Sequence, residues 1–462
     1  MLDPSNPAIA ANRFGLGARP GDLAAIGADG RDWLRAQLKG APPALAGAQL
    51  RPSFEILAQG LRLRREQEEA KKSGVQTQAL EKVGQYLKPI YTSEVIARFQ
   101  QASVTERPFV ERLTQFWANH FAVSIDKQFL AGLAGSLERE AIRPHVLGNF
   151  TDMLLAVESH PAMLLYLDNH LSVGPHSQAA LRGERRQAQR KIGINENLAR
   201  EIMELHTLGV GGGYTQADVT SFAEVITGWS IGDDRGRFAS GTPGEFLFRP
   251  ELHEPGAKVV LNTRYPDTGA GQGVAVLRDL ARQQATARFI ATKLVRHFVA
   301  DDPPPGAVSR VAGAFTASEG DLPTLYRALV DAHESWAQPL PKFKTPSDFI
   351  VSAYRGLALP VEAGKGPLAP FELLGQRTWS PGSPAGWPDR SADWDGASAV
   401  IKRIEWADAV GARVGSRRDA AELAPQLLGA NLSDPTRTAV ARAASASQAL
   451  TLLVASPEFM RR

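Results

Sequence analysis

Residues 193–229 contain the pattern that most constrains the fold, two amphipathic helices joined by a run of glycines. Leu198 and Ile202 recur at helical spacing and give the first helix an apolar stripe. Asn195 precedes this stripe and is a residue type that caps helix N-termini, so the helix is expected to begin there. Gly209 can end it in a left-handed conformation, after which further glycines let the chain reverse. The stretch therefore predicts a helical hairpin.

A capping box marks the second helix of this hairpin. Thr215 and Asp218 have the required spacing, with Asp in place of the usual Glu, so the helix is expected to start directly after the threonine. Comparable helical patterns recur along most of the chain. The short strand-like runs EFLF (245–248) and KVVL (258–261) interrupt them and are expected to pair as a hairpin. The predicted fold is mainly α, a large multi-helix body with a small β-hairpin insertion around 240–265.

The run DDPPPG at 301–306 is a rigid break in the helical pattern and predicts a boundary there. The main helical body would span 1–300 and would include the polar hairpin and the β-insertion. A C-terminal helical region, 307–462, would pack on it. A chain of 462 residues exceeds the usual size of a single core, but one continuous domain is the alternative.

Cysteine is absent from the sequence, which excludes several classes of site. Disulfides, thiolate catalysis, zinc ribbons and cysteine-ligated iron–sulfur clusters all require it. A divalent metal would have to be held by His, Asp, Glu and backbone oxygen. The formal net charge of +3 is far below the basic footprint of a nucleic-acid-binding protein, so no nucleic acid is expected as a partner.

The N-terminal residues show no basic segment followed by an apolar segment, so no signal peptide is predicted. No apolar run approaches the ~18–20 residues that cross a bilayer, and no membrane span is predicted. The expectation is a soluble, cytoplasmic protein. Export together with a partner that carries the signal is the alternative.

The first helix of the hairpin carries most of the suggestive charges. Glu196, Arg200 and Glu204 follow one another at i, i+4 and i+8 and share one helix face. Their simplest interpretation is a solvated ladder in which each pair contributes roughly 0.2–0.5 kcal/mol. Glu201 instead borders the apolar stripe, where a carboxylate needs a partner or a raised pKa. The spacing is equally compatible with a structural and a functional Glu201.

Two histidines outside the hairpin are further candidates. His120 falls on the apolar face of a helix predicted at 106–122, where a buried histidine with one hydrogen-bond partner is the commoner outcome and a catalytic role the alternative. His253 lies between the two strand-like runs. Lys258 is close to it in sequence and could supply a positive charge.

The polar stretch 168–194 contrasts with the helices around it. It is rich in Gly and Pro near its start, and a loop of this length in a compact domain is usually functional or disordered. Asp168 could reach the same cavity as the hairpin because the stretch leads directly into it. The basic run at 182–191 could face an anionic substrate or form a solvated loop.

A second irregular stretch, 371–395, combines Pro and Gly with several aromatic residues. Trp379 and Trp387 could stack on sugars or other flat apolar faces, or could seal a core. Gln376 lies just before them. We expect these three residues to form part of a pocket wall.

Motifs along nearly the whole chain closely resemble those of the bacterial family known as domain of unknown function 1800. They are RFGLGARPGD, LTQFWANHFAVS, DNHLSVGPHS, NENLAREIMELHTLGVGGGYTQADV, ITGW, ATARFIATKLVRHFV, LGQRTWSPGSPAGWP and LLVASPEF. The resemblance implies kinship but no mechanism. It also implies a sulfatase-like partner protein, because members of the family often occur beside one.

The functional hypothesis is an enzyme of hydrolase or lyase type, whose cavity binds a hydroxylated or anionic substrate such as a glycan. No metalloprotease, nucleophile-elbow or phosphate-loop motif is present, so the hypothesis depends on Glu and His side chains. The roles are, for catalysis, Glu201, Glu204 and His120; for substrate binding, Asp168, Asn195, Asn197, Arg200, Lys258, Gln376, Trp379 and Trp387; and for a possible divalent metal, His253, Glu196 and His206. The alternative is a non-catalytic helical partner, an export or assembly factor for the sulfatase-like protein.

Overall fold

Helices account for most of the chain in the computed structural model, which describes residues 6–47, 50–73, 82–185, 193–234, 239–337, 340–361 and 368–462. In the first half of the chain the α-helices are α1 (Pro7–Ile9), α2 (Asp22–Ile26), α3 (Gly30–Gln37), α4 (Ser53–Lys72), α5 (Val83–Val104), α6 (Pro108–His120), α7 (Leu130–Leu137), α8 (Phe150–Glu158), α9 (Pro161–Tyr166), α10 (Gln178–Arg185), α11 (Asn197–Glu201) and α12 (Gln216–Val225). The predicted helical hairpin corresponds to α11 and α12.

The second half continues in the same way. Its α-helices are α13 (Ala270–Arg282), α14 (Gln284–Phe298), α15 (Pro305–Ala317), α16 (Leu322–Asp331), α17 (Pro346–Gly356), α18 (Leu368–Leu373), α19 (Ala397–Val414), α20 (Ala420–Leu428), α21 (Asp434–Ala441) and α22 (Ala446–Val454). None of the helices in the described ranges is both long enough and apolar enough to cross a membrane.

Four short strands form two antiparallel pairs, which confirms a mainly α fold with a small β-insertion. Strand β1 (Trp229–Ile231) pairs with β2 (Phe246–Phe248), and β3 (Lys258–Val260) pairs with β4 (Thr263–Tyr265). The expectation that the runs at 245–248 and 258–261 pair with each other is wrong. Each run forms a strand but has a different partner, because strands of three residues carry too little pattern to specify their pairing.

The hairpin has the predicted caps, with one shift in position. The Thr215 hydroxyl accepts a hydrogen bond from the backbone N–H of Asp218, and the Asp218 carboxylate accepts one from the N–H of Thr215, which confirms the capping box. Asn195 Oδ1 accepts the N–H of Asn197 at 2.9 Å, but the N-cap position is Glu196, one residue later. Gly209 has a φ of 83°, as expected for the residue that ends the helix.

The first hairpin helix continues past α11 as a π-helical turn, Ile202–His206. Further π-helical turns occupy Ala10–Phe14 and Glu138–Ile142. Such turns insert an extra residue into a helix and are frequent at functional sites. The turn at 202–206 places His206 in the interior.

One cluster of buried apolar side chains runs from Ile9 to Met460 and crosses the DDPPPG break. Phe14 shows how the core joins distant segments. Its ring centroid lies 5.7 Å from that of Phe109, 5.9 Å from that of Phe298 and 5.4 Å from that of Trp336. Residues on both sides of 301–306 thus share a core, against which α6, α14 and α17 position the site described next.

Candidate functional site

A cavity of about 90 Å³ opens between α6, α14, the start of α17 and the irregular segment after α18. We call it the carboxylate cavity because two aspartates line it. Its principal lining residues are Arg112, Asn119, His297, Asp348, Gln376, Trp379, Trp387 and Asp389. It combines buried charge, amide groups and two indole rings, which is the composition of a small-molecule site.

Asp348 reaches the cavity because of how α17 begins. The Thr345 hydroxyl caps the helix by accepting the Asp348 N–H at 3.2 Å, and Pro346 occupies the first turn. Burial alone would raise the pKa of Asp348, but the Arg112 and Arg462 guanidinium groups outweigh it and hold that pKa well below its usual range. Asp348 is therefore ionised at neutral pH.

Arg112, which lines the cavity, and Arg462 are the two buried cations that pair with Asp348. Arg112 donates through Nη2 to Asp348 Oδ2 at 2.9 Å and through Nη1 to the Gly15 carbonyl at 2.7 Å. Arg462 Nε lies 2.9 Å from the same Asp348 oxygen, and its Nη1 donates to the His297 carbonyl at 2.6 Å. Burial lowers the pKa of Arg112 to about 10, so it stays charged at neutral pH.

His297 and Asp389 form a hydrogen-bonded pair. His297 Nδ1 lies 3.1 Å from both carboxylate oxygens of Asp389. Burial lowers the pKa of His297 to about 4, against the opposing effect of Asp389. The imidazole is therefore neutral at pH 7. Because the Asp389 carboxylate only accepts hydrogen bonds, the proton resides on Nδ1 and Nε2 carries a lone pair.

Asp389 is held ionised by its neighbours. Burial would raise its pKa, but His297, Lys342 and Arg462 outweigh that effect and hold the pKa well below its usual range. Lys342 Nζ also donates to the Asp389 carbonyl and to Asp301 Oδ1, the latter at 2.6 Å. The backbone and the carboxylate of Asp389 are thus both fixed in place.

The aromatic wall is positioned through backbone contacts. Trp379 has a φ of 51°, and its carbonyl accepts the Ile125 N–H at 2.9 Å. Asn119 holds Trp387 by accepting its N–H at 2.7 Å and donating to its carbonyl at 2.9 Å. A positive φ at a large residue is unfavourable, so the surrounding contacts must compensate for it. Strained backbone of this kind is frequent at ligand sites.

Three buried nitrogens that belong to lining residues have no hydrogen-bond partner within the described ranges. They are Arg112 Nε, His297 Nε2 and Trp379 Nε1. Partnerless buried nitrogens also occur elsewhere in the described ranges, at several arginines, at His120, His206 and His253 and at Trp229, so the feature that distinguishes these three is that their residues line one cavity. A buried polar atom without a partner is costly, and one in a cavity wall is explained when a ligand supplies the partner.

The comparison with known families agrees with the sequence motifs. The model of the family described as "Protein of unknown function (DUF1800)" matches residues 9–461. The chain belongs to the DUF1800 family. No curated protein and no solved structure matches it.

The predicted site residues of this DUF1800 chain are distributed over several places. Gln376, Trp379 and Trp387 line the carboxylate cavity together, as the motif around them suggested. The Gln376 amide oxygen accepts the Ser347 N–H at 2.8 Å and ties the aromatic segment to α17. The proposed catalytic residues of the hairpin do not line this cavity.

His120 and His206 are buried close together, and neither lines the carboxylate cavity. His120 Nε2 lies 3.1 Å from the His206 carbonyl, and His206 Nδ1 lies 2.8 Å from Glu158 Oε1. All three side chains are almost fully buried. Burial lowers the pKa of His120 well below its usual value, so it is neutral. The arrangement joins α6, α8 and the π-helical turn, and His120 Nδ1, His206 Nε2 and Glu158 Oε2 have no hydrogen-bond partner within the described residues.

Glu201 is half-buried, and burial raises the pKa of its carboxyl group, as its position beside the apolar stripe suggested. Burial of the Tyr166 side chain, together with the smaller effect of the negative charge of Glu201, raises the pKa of Tyr166 to about 12. Glu204 shares a hydrogen bond with Tyr214. None of these groups lines the carboxylate cavity.

The remaining hairpin residues make surface contacts. Arg200 Nη2 lies 2.9 Å from Glu196 Oε2, and the Thr220 hydroxyl donates to Glu196 Oε1 at 2.7 Å. Asn195 Nδ2 lies 3.4 Å from the Asp168 carbonyl, and Asn197 is exposed. The Asp168 carboxylate pairs with Lys127 at 2.6 Å. Most of the basic run at 182–191 lies outside the described residues.

The residues predicted to hold a metal are not brought together. His253 Nδ1 lies 3.0 Å from the Thr227 carbonyl and its Nε2 lies 3.5 Å from Asp267 Oδ1, whereas Lys258 pairs with Glu224 at 3.5 Å. Within the described ranges no three His, Asp or Glu side chains are arranged to ligate an ion. The set of His253, Glu196 and His206 therefore does not form the predicted cluster.

The charged residues of the carboxylate cavity were missed in the sequence. In the sequence, Asp348 shows only the pattern of a helix start, Thr345-Pro346-Ser347-Asp348, and His297 lies directly beside the apolar Phe298 of a helical stripe. Asp389 directly follows the motif that contains Trp387, which is the one local signal that pointed toward it. Arg112 has no such signal, because only the packing of α6 against α17 shows its partner.

Proposed function

We propose that the carboxylate cavity binds a small hydroxylated molecule, such as one sugar unit, and that His297 accepts a proton from a bound hydroxyl group or water. The observation that carries this proposal is that three residues lining one cavity each have a buried nitrogen without a hydrogen-bond partner in the described part of the chain, namely Arg112 Nε, His297 Nε2 and Trp379 Nε1. A ligand that satisfied them would explain all three.

The hydrogen-bonding character of these atoms describes the ligand. Arg112 Nε and Trp379 Nε1 are donors, whereas the neutral His297 offers the lone pair of Nε2. They match a molecule that presents two acceptor oxygens and one hydroxyl group. The indole faces of Trp379 and Trp387 add flat apolar surface, which suits the C–H face of a sugar ring.

The His297–Asp389 pair supports acid/base chemistry. When Nε2 takes the proton of a hydroxyl group, the imidazole becomes an imidazolium ion, and the ionised Asp389 that accepts its Nδ1–H stabilises the new charge. The base form of His297 is present throughout neutral pH because its pKa is about 4. Asp348, which is paired with two arginines, orients them rather than exchanging protons.

The alternative, a helical partner of a sulfatase-like protein, would be favoured by an exposed apolar face of several hundred Å². Ile401 and Ile404 are exposed one turn apart on α19. Two isoleucines provide much less apolar area than such a face. The cavity is therefore the stronger basis for a function.

The test pairs two variants that each replace a carboxylate by an amide. Purified wild type, Asp389→Asn and Glu201→Gln would be incubated with a panel of monosaccharides, disaccharides and hydroxy acids, and the melting temperature and the masses of the products would be measured. We expect at least one panel member to raise the melting temperature of wild type and of Glu201→Gln. The rise should be lost or strongly reduced in Asp389→Asn.

Product masses distinguish the reaction classes. Hydrolysis adds the elements of water to the sum of the fragments, whereas elimination leaves that sum equal to the mass of the substrate. Circular dichroism would show that both variants are folded. The proposal fails if no panel member affects wild type, or if Asp389→Asn responds as wild type does.

A further inference from the structure

A second cavity, of about 270 Å³, adjoins the carboxylate cavity. We call it the basic cavity, since Lys88, Lys127 and Arg377 line it together with Tyr91 and Asp126. It is formed by the first turns of α5, the segment before α7 and the beginning of the aromatic segment. None of its charged residues belongs to the carboxylate cavity.

The two cavities share a wall. Tyr91, which lines the basic cavity, lies with its ring centroid 6.4 Å from that of Trp379, which lines the carboxylate cavity. The Tyr91 hydroxyl donates to the Thr378 carbonyl at 3.2 Å, and the Arg377 guanidinium lies 5.8 Å from the Tyr91 ring centroid. One layer of aromatic rings and one stretch of backbone therefore separate the two spaces.

The wall is braced from both sides. The Ser380 hydroxyl donates to Asp126 Oδ2 at 2.9 Å, and the Ile125 N–H donates to the Trp379 carbonyl at 2.9 Å. Hydrogen bonds from Ser124 and Ser380 lower the pKa of Asp126, so this carboxylate is ionised. A ligand that occupied both cavities would cross this wall, which the hydrogen bonds hold in place.

The charges of the basic cavity favour an anion. Its lining holds three cationic side chains, Lys88, Lys127 and Arg377, against the single carboxylate of Asp126. Lys127 is neutralised in part by Asp168, at 2.6 Å, but Lys88 and Arg377 are exposed and face solvent. A carboxylate or sulfate group entering this space would be attracted to them.

We infer that the chain binds an acidic oligosaccharide, with one unit in the carboxylate cavity and the next, anionic unit in the basic cavity. This inference rests on the proposed function, because it extends the same ligand across the Tyr91–Trp379 wall. Aromatic rings flank the path, and the anionic group of the second unit meets Arg377 and Lys88. A second bound unit adds contacts without a second loss of translational freedom.

Calorimetric titration with ligands of increasing length tests this inference. The probes are uronic-acid oligomers of one to four units, sulfated oligomers of the same lengths, and neutral malto-oligosaccharides. For one acidic series we expect wild type to bind two units at least tenfold more tightly than one. The gain should shrink as salt is raised, because the added contact is ionic. The carboxylated and sulfated series distinguish the two sources of negative charge.

Two variants test the ratio between the affinity for two units and the affinity for one unit. Arg377→Gln is expected to reduce this ratio about tenfold, and Lys88→Gln is expected to reduce it severalfold. Both side chains are exposed, so the fold should be retained. Lys402→Gln, which changes an exposed lysine of α19, is the matched control and should keep the wild-type ratio.

The outcomes separate this inference from the proposed function. Affinity that does not depend on length, or a ratio unchanged in Arg377→Gln, overturns the role of the basic cavity and leaves the carboxylate cavity as a site for one unit. Binding of neutral oligomers alone overturns the acidic character. If no sugar of any length binds, the proposed function fails as well.

Discussion

Charged residues find their partners differently in the helical hairpin and in the carboxylate cavity. In the hairpin, Glu196 finds Arg200 one turn away and Thr220 on the adjacent helix, so its charge is satisfied on the surface. In the cavity, Asp348 meets Arg112 from a segment more than two hundred residues earlier, and both are buried. A dense local run of charges therefore marks a solvated face, whereas the candidate site is assembled from separate segments.

The histidines of the two regions differ in the same way. His206, in the hairpin, pairs with Glu158, and both side chains are almost fully buried. His297 pairs with Asp389 at the wall of an open cavity. Both are histidine–carboxylate pairs. The position of His297 in a cavity wall distinguishes a candidate base from a packing contact.

The largest expected effect is the loss of the Asp348 carboxylate. Asp348→Ala leaves Arg112 and Arg462 buried without their shared partner, which should lower the free energy of unfolding by about 3–5 kcal/mol. Urea denaturation followed by circular dichroism measures it. A loss below about 1 kcal/mol would mean that the buried pairs of Asp348 contribute no more to the free energy of unfolding than the surface pairs of the hairpin do.

The pH dependence of stability should show the burial of His297. Its pKa in the folded protein is about 4, below the usual 6.5, so the unfolded chain binds more protons between these two values. The free energy of unfolding should therefore increase with pH from about 4 to 6.5 and decrease on acidification. His120, whose pKa is also lowered, contributes in the same direction.

Comparison of wild type with His297→Gln isolates the contribution of this residue. Within the window the difference in slope should approach about 1.4 kcal/mol per pH unit. Denaturation series at several pH values between 4 and 7 give both slopes. Parallel slopes would show that His297 is not desolvated in the folded protein.

A pair of histidine variants separates ligand binding from packing. His297→Gln should weaken binding of the ligand found in the panel by about tenfold or more, roughly 1.4 kcal/mol, because Nε2 is lost as an acceptor. His206→Gln should lower the melting temperature and leave affinity unchanged, because His206 is buried and does not line the carboxylate cavity. Calorimetric titration and thermal denaturation of both variants provide the comparison. Equal losses of affinity would remove the distinction between the two pairs.

The smallest effect belongs to the surface of the hairpin. Glu196→Ala removes the partner of Arg200 and of Thr220, and the free energy of unfolding should fall by only about 0.3–1 kcal/mol. Urea denaturation at low and at high salt measures it, and the loss should be smaller at high salt. A loss as large as that of Asp348→Ala would contradict the view that these charges are solvated.

The sequence predicted the features that depend on neighbouring residues. The capping box of Thr215 and Asp218 and the glycine end at Gly209 both involve contacts within a few residues of the chain. The sequence also predicted Trp379 in a pocket wall, because this residue lies in a family-like motif within an irregular Pro- and Gly-rich segment. The raised pKa of Glu201 followed from its position beside the apolar stripe.

Only the tertiary structure decided which residues meet. Strand β2 pairs with β1 rather than with β3, since three-residue strands specify no register. His297 meets Asp389 and Asp348 meets Arg112 because α6, α14 and α17 pack on one apolar core. The sequence by itself determined the helices and their ends, because capping and periodicity act over a few residues. Long-range packing determined which residues form the site. A charged side chain that is stable alone in water needs an opposite charge or a hydrogen-bond partner once it is buried, and only the tertiary structure supplies that partner.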